Sequence, residues 1–70
     1  FNIHKIYTEY TSYGDSVINE IEHNYAYNTW IKSKSGTEID FLISDTLTKA
    51  IYQRMMSEEQ FVAFHQNYTA

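Results

Sequence analysis

A short chain without cysteine has few ways to stabilise a fold, and this limits the kinds of fold that the sequence can adopt. The chain has 70 residues and no cysteine, so no disulfide bond can supplement its one small hydrophobic core. Its three histidines are scattered and have no thiol beside them, so the sequence predicts neither a structural metal nor a cofactor. We therefore expect a single domain over residues 1–70 that associates with another protein or with itself.

The charge balance argues against nucleic acid as a direct partner. Five Lys and Arg residues stand against nine Asp and Glu residues, for a net charge of −4, and the basic residues are dispersed along the chain. Phosphate backbones are bound by clustered positive charge, which this sequence lacks. No apolar run is long enough to span a bilayer. With no cysteine and no leader-like N-terminus, the sequence predicts a cytoplasmic protein that makes no membrane contact.

The central segment has the pattern of a β-hairpin. Residues 27–33 and 37–43 are rich in β-branched and aromatic side chains and flank the short stretch 34–36. Gly36 suits the left-handed corner of a three-residue loop, in a register that places the apolar pairs of both strands on one face. A two-residue loop at 35–36 would mix polar and apolar side chains on both faces, so the first register is preferred.

Two closely packed helices are predicted after the hairpin, with one helix sharply bent at Ser57 as the alternative. Ser44 or Asp45 caps the first, which runs to about Met56. Ser57 caps the second, with Gln60 at the capping-box position. Their apolar faces consist of Leu47, Ala50, Ile51 and Met55 in the first helix, and of Phe61, Phe64, His65 and Tyr68 in the second.

The first 26 residues allow two interpretations. Apolar residues repeat at helical spacing over residues 3–13 and Gly14 is placed to end a helix, although the Thr, Ile and Tyr content also suits a strand. Asp15 or Ser16 would cap a second helix, with a strand running toward the hairpin as the alternative. The predicted fold is a small α+β domain: a central β-hairpin packed by two C-terminal helices, with N-terminal segments that are helices or additional strands.

No pattern in the sequence indicates catalysis. Glu20 and His23 have the E-x-x-H spacing of di-iron and di-manganese sites, but such sites need a second copy of the motif, which is absent. His4, His23 and His65 are far apart, and none has a Cys or Ser placed to suggest a triad. We therefore expect a non-enzymatic protein with no catalytic residue and no metal ligand.

Trp30 is the candidate contact residue. Alternation along the first strand places it on the outer, polar face of the hairpin, where an indole ring needs a cover. Tryptophan and tyrosine beside charged residues are typical of binding hot spots. The predicted partner-binding residues are Trp30, Lys32, Glu38, Asp40, Leu42 and Tyr25. The alternative is intramolecular, with the N-terminal segments and their tyrosines covering Trp30 in a second small core.

The sequence favours a protein-binding module, with the composition of a small inhibitor or regulator from a bacterium or phage. One alternative is an acidic mimic of nucleic acid that occupies a nuclease or a DNA-binding protein, and another is an obligate homo-oligomer joined through hairpin edges. In the favoured interpretation Trp30→Ala weakens partner binding by about 2 kcal/mol and leaves the fold intact, whereas Phe41→Ala destabilises the fold by about 3–5 kcal/mol.

Overall fold

The part of the chain that the structure describes is helical, without strands. The computed structural model describes residues 1–15 and 20–69. Its helices are α1 (Ile3–Asp15), α2 (Glu20–Lys32), α3 (Gly36–Leu42), α4 (Asp45–Gln53) and α5 (Glu58–Thr69). The predicted α+β fold is therefore wrong, because all but the last residue of each expected hairpin strand is helical: residues 27–32 lie in α2 and residues 37–42 lie in α3.

A capping box at Ser35 explains why a helix begins where the hairpin loop was expected. The Ser35 Oγ accepts a hydrogen bond from the Glu38 backbone N–H at 3.4 Å, and the Ser35 N–H donates to the Glu38 carboxylate at 3.0 Å. These bonds satisfy two backbone donors at the start of α3, which begins at Gly36. Gly36 has a negative φ, so it is not the left-handed corner that the hairpin requires.

The segment predicted as the first strand forms the C-terminal half of α2. Tyr27 and Trp30 are both buried, and Ile31 packs against the same core. Spacings of three and four residues place these side chains on one face of a helix, whereas a strand would direct Tyr27 and Trp30 to opposite faces. In the predicted hairpin register Thr29 and Ile43 lie on the face that packs on the helices, but both are exposed in the structure.

The two C-terminal helices are confirmed, together with their N-caps. The Ser44 Oγ accepts a hydrogen bond from the Leu47 N–H at 3.4 Å. The Ser57 Oγ accepts from the Gln60 N–H at 3.2 Å, and the Gln60 side-chain oxygen accepts from the Ser57 N–H at 2.9 Å. The cap at Ser57 was therefore predicted correctly, and of the two caps proposed for the first helix, Ser44 or Asp45, the structure has Ser44.

The end of α4 differs from the prediction. The helix ends at Gln53 and does not continue to about Met56. Arg54 follows in the left-handed region, with φ 56° and ψ 37°, and its N–H donates to the Ala50 carbonyl at 2.6 Å. A left-handed residue after the last helical turn stops the helix and redirects the chain, here without glycine.

The N-terminal segment is a helix, as the favoured interpretation predicts. α1 runs through Gly14 to Asp15, so the predicted stop at Gly14 is wrong. The strand alternative for the following segment is also wrong over Glu20–Lys32, which is helical. Two caps were predicted for the second helix, Asp15 and Ser16. Asp15 is the last residue of α1, and Ser16 lies outside the described residues.

One core joins the helices. α1 contacts α2, α4 and α5, while α3 packs on α2. The buried apolar residues are Ile6, Tyr10, Tyr27, Trp30, Phe41, Leu42, Leu47, Ala50, Ile51 and Phe61. Two tyrosine hydroxyl groups form long-range hydrogen bonds to the backbone: Tyr27 donates to the carbonyl of Leu42 at the end of α3 at 2.8 Å, and Tyr7 donates to the Met56 carbonyl at 3.2 Å. These bonds anchor the C-terminus of α3 and the link between α4 and α5.

Ser35→Ala is expected to lower the free energy of unfolding by about 1 kcal/mol, because it leaves the Glu38 N–H without its acceptor. Urea denaturation followed by circular dichroism measures the change. Thr37→Ala is the matched control, since Thr37 is exposed in the same helical turn and should change stability by less than about 0.5 kcal/mol. Equal effects of the two substitutions would show that the capping box does not stabilise α3.

Candidate functional site

The structure does not bring the six predicted partner-binding residues onto one exposed surface. Trp30 and Leu42 are 6% and 0% exposed, so the prediction that they face outward is wrong. The reason is helical geometry, because residues that alternate in a strand are spread around a helix. The other four lie on α2 and α3 and are exposed or half-buried: Tyr25, Lys32, Glu38 and Asp40.

Trp30 is covered by its own chain. The Tyr13 and Tyr27 rings lie 5.3 and 5.8 Å from the indole ring, measured between centroids. The Lys34 Nζ lies 5.3 Å from the centroid of the indole ring, in a cation–π contact. Because Tyr13 belongs to α1, this arrangement agrees with the intramolecular alternative, in which N-terminal tyrosines cover Trp30.

A half-buried ion pair between Lys34 and Glu9 lies next to Trp30. The Lys34 Nζ donates to the Glu9 Oε1 at 2.8 Å, and the two side chains are 12% and 31% exposed. This hydrogen bond lowers the pKa of the Glu9 carboxyl group. The buried Trp30 N–H also helps to lower that pKa, but its geometry falls short of a hydrogen bond. The pair joins α1 to the turn after α2, so it fixes the position of these elements.

The described residues contain no group of three His, Cys, Asp or Glu side chains that could hold a metal ion. The Glu20 and His23 side chains, which form the E-x-x-H pair, lie outside the part of the structure that is described. His4 Nδ1 lies 2.7 Å from Glu58 Oε1, and His65 packs edge-on against Phe41. The His4–Glu58 contact is exposed and joins the surfaces of α1 and α5, whereas His65 takes part in the packing of α5 against Phe41.

No helix within residues 1–15 and 20–69 is both long enough and apolar enough to cross a membrane.

An open groove, which we call the α4–α5 groove, lies beside α4 and reaches Gln60 at the start of α5. It has a volume of about 420 Å³. Its lining residues are Asp45, Thr46, Lys49, Ala50, Gln53, Met55, Met56 and Gln60. Met55 is 72% exposed, and Met56 beside it is half-buried. The groove therefore places flexible apolar side chains next to solvent and next to a ring of polar ones.

The early end of α4 creates this groove. Arg54 turns the chain out of the helix, and residues 55–57 run outside it until α5 begins at Glu58. Met55 was predicted to lie on the apolar face of α4, yet the turn at Arg54 carries it into solvent. Small Ala50, which is 8% exposed, leaves room between the helix and the methionines.

Acidic groups lie at the groove and next to it. The Asp45 carboxylate pairs with the Lys49 Nζ at 3.1 Å, and both side chains are largely exposed, so the pair contributes little to stability. Glu58 and Glu59 occupy the first turn of α5, next to Gln60, where their negative charges interact favourably with the positive end of the helix dipole. The two charged residues of the lining, Asp45 and Lys49, therefore offset each other, and Glu58 and Glu59 add negative charge beside the groove.

This groove is not among the sites predicted from the sequence. Met55 was predicted to lie on an apolar helix face, Met56 to lie near the end of that helix, and Gln60 to lie in the capping box of the next helix. A visible signal was the pair of adjacent methionines between two helices, since methionine is common at adaptable binding surfaces. No protein-family model, curated protein or solved structure that was compared matches this chain.

Proposed function

We propose that the chain is a non-enzymatic protein-binding module that holds an amphipathic helix of its partner in the α4–α5 groove. The observation that carries this proposal is the 72% exposure of Met55 at the rim of a groove of about 420 Å³. Exposed large apolar side chains that line a concave surface are typical of interaction sites. This site replaces the Trp30 surface expected from the sequence.

The chemistry of the groove suits a helix. An amphipathic helix binds by placing one apolar stripe in a groove while its polar face stays in water. Met55 and Met56 have unbranched side chains that adapt their shape to such a stripe. Thr46, Gln53 and Gln60 provide hydrogen-bonding groups at the edge of the groove, as the polar rim of an interface does.

The charge of the chain favours a basic partner. The net charge is −4, and Glu58 and Glu59 lie next to the groove, whose two charged lining residues, Asp45 and Lys49, are paired with each other. Complementary charge speeds encounter and suppresses wrong partners. The partner segment that we propose therefore carries lysine or arginine on the polar face of its helix. We also propose that the protein acts in the cytoplasm, because the chain contains no cysteine.

A designed amphipathic peptide of leucine and lysine tests the proposal, with a leucine and glutamate peptide of the same pattern as its charge control. In a two-dimensional NMR titration, we expect the basic peptide to shift the backbone signals of Gln53, Met55 and Gln60, and the acidic peptide to bind far more weakly. Met55→Ala should weaken binding of the basic peptide by roughly tenfold.

Tyr25→Ala is the matched control, because Tyr25 is 76% exposed but lies on α2 and does not line the groove. It should leave peptide affinity unchanged. Shifts confined to other surfaces, or equal binding of the acidic and basic peptides, would contradict the proposal. Binding that Met55→Ala does not change but that salt abolishes would point to general charge attraction and not to the groove.

A further inference from the structure

A second cavity lies between α1 and α4 and has its own lining. Its volume is about 150 Å³, and it is bordered by Tyr7, Tyr10, Thr11, Ala50, Ile51, Arg54 and Met56. Ala50 and Met56 are shared with the α4–α5 groove, so the cavity and the groove lie on either side of these two residues. The other five residues line the cavity and not the groove, so mutations can change ligand binding in the cavity without changing the groove.

The size and walls of the cavity suit one aromatic ring. A cavity of about 150 Å³ has room for one benzene ring. This one is partly open to solvent, and Thr11 and Arg54 are among its lining residues. Two walls are the rings of Tyr7 and Tyr10, whose centroids are 5.7 Å apart. Ile51 and Ala50, at 1% and 8% exposed, supply aliphatic surface from α4. Aromatic side chains favour tilted or offset contacts with a further ring, which adds to the burial of apolar area.

The Tyr10 hydroxyl group provides a donor among the mixed polar and apolar side chains that line this cavity. The Tyr7 hydroxyl group donates to the Met56 carbonyl, and the Thr11 Oγ1 donates to the Thr8 carbonyl, so both of these donors are already used. Tyr10 is only 3% exposed, and burial raises its pKa to about 12. It therefore keeps its proton at neutral pH and can donate it to an acceptor on the ligand.

From the volume, the aromatic walls and this donor, we propose that the cavity binds a small compound with one aromatic ring and a hydrogen-bond acceptor attached to it. The ring lies against Tyr7, Ile51 and Met56, and the acceptor receives the hydrogen bond from Tyr10. Arg54, which also lines the cavity, carries a positive charge that favours acceptors with partial or full negative charge. This site does not depend on the proposed helix-binding function.

Benzamide and toluene serve as probes, because both contain one ring and only benzamide carries an acceptor. In an NMR titration of the full chain, we expect both probes to shift the backbone signals of Tyr10, Thr11 and Ile51, with tighter binding of benzamide. Tyr10→Phe keeps the ring and removes the donor. It should weaken benzamide binding about fivefold and leave toluene binding unchanged.

Thr11→Leu fills the cavity from α1 and should abolish binding of both probes, while circular dichroism confirms that the variant is folded. Met55→Ala changes the groove but not the lining of the cavity, so it should leave probe binding unchanged. Absence of shifts at millimolar probe, or binding that persists in Thr11→Leu, would overturn the site. Equal loss of benzamide and toluene in Tyr10→Phe would overturn the role given to the hydroxyl group.

Discussion

Phe41→Ala is expected to abolish the cooperative thermal unfolding of the chain. Phe41 is fully buried, and its ring centroid lies 5.2 Å from that of Phe61 in α5 and 5.9 Å from that of Phe1. Removing a buried phenyl ring costs about 3–5 kcal/mol. Natural domains have only about 5–15 kcal/mol of stability, and small ones lie near the lower end. Circular dichroism should therefore show a broad or absent transition at room temperature and above.

Two further variants make this result interpretable. Phe41→Leu keeps most of the apolar volume, so it should fold and melt cooperatively at a lower temperature. Tyr25→Ala removes an aromatic ring that is 76% exposed and should change stability by less than about 0.5 kcal/mol. A Phe41→Ala protein that melts like the unchanged chain would show that Phe41 lies outside the core.

The destabilisation by Phe41→Ala also follows from the hairpin prediction, although the structural reason is different. Phe41 was expected to face inward from a strand, and it is buried as part of the short helix α3. Burial of a large apolar residue in a small chain can be predicted from its chemistry alone. Its secondary structure could not be predicted this way, because the same side chain fits the core from either element.

Helix starts were the most predictable part of the fold. Ser44 and Ser57 precede apolar residues at helical spacing, and both cap helices as expected. The same capping-box rule also fits Ser35, with Glu38 three residues later. There, the β-branched and aromatic residues on either side favoured a hairpin, and Gly36 matched its loop. Local capping outweighed strand propensity at this position.

The pattern of Tyr27, Trp30 and Ile31 contained a second signal for a helix. Spacings of three and four residues place all three side chains on one helical face, and all three contribute to the core or pack against it. The alternation rule divided the same residues between two faces of a strand. A window of seven residues fits both periods, and this ambiguity led to the wrong position for Trp30.

The α4–α5 groove was not predictable from these rules. It depends on where α4 ends, and the stop is a left-handed arginine at Arg54, with neither glycine nor proline to mark it. Non-glycine residues rarely adopt this conformation, so sequence patterns do not anticipate it. Continuing α4 by one turn would direct Met55 toward the core, as predicted, and would remove it from the groove.

Trp30→Ala is expected to destabilise the fold by about 3–5 kcal/mol, which reverses the prediction that it would leave the fold intact. Trp30 is 6% exposed and contacts Tyr13 and Tyr27, so its removal leaves a cavity between α1 and α2. The Lys34 ammonium group also loses the ring that lies 5.3 Å from it. Urea denaturation followed by circular dichroism measures the effect, because the variant lacks the only tryptophan that could report by fluorescence.

Trp30→Phe distinguishes a role of Trp30 in core packing from a role in partner binding. Phenylalanine keeps a ring against Tyr13 and removes a buried N–H that makes no hydrogen bond, so it should cost much less than alanine. Because Trp30 does not line the α4–α5 groove, Trp30→Phe should bind the leucine and lysine peptide as the unchanged chain does. Unchanged stability of Trp30→Ala would contradict the role of Trp30 in the core. A loss of peptide affinity in the folded Trp30→Phe variant would show that Trp30 belongs to the contact surface.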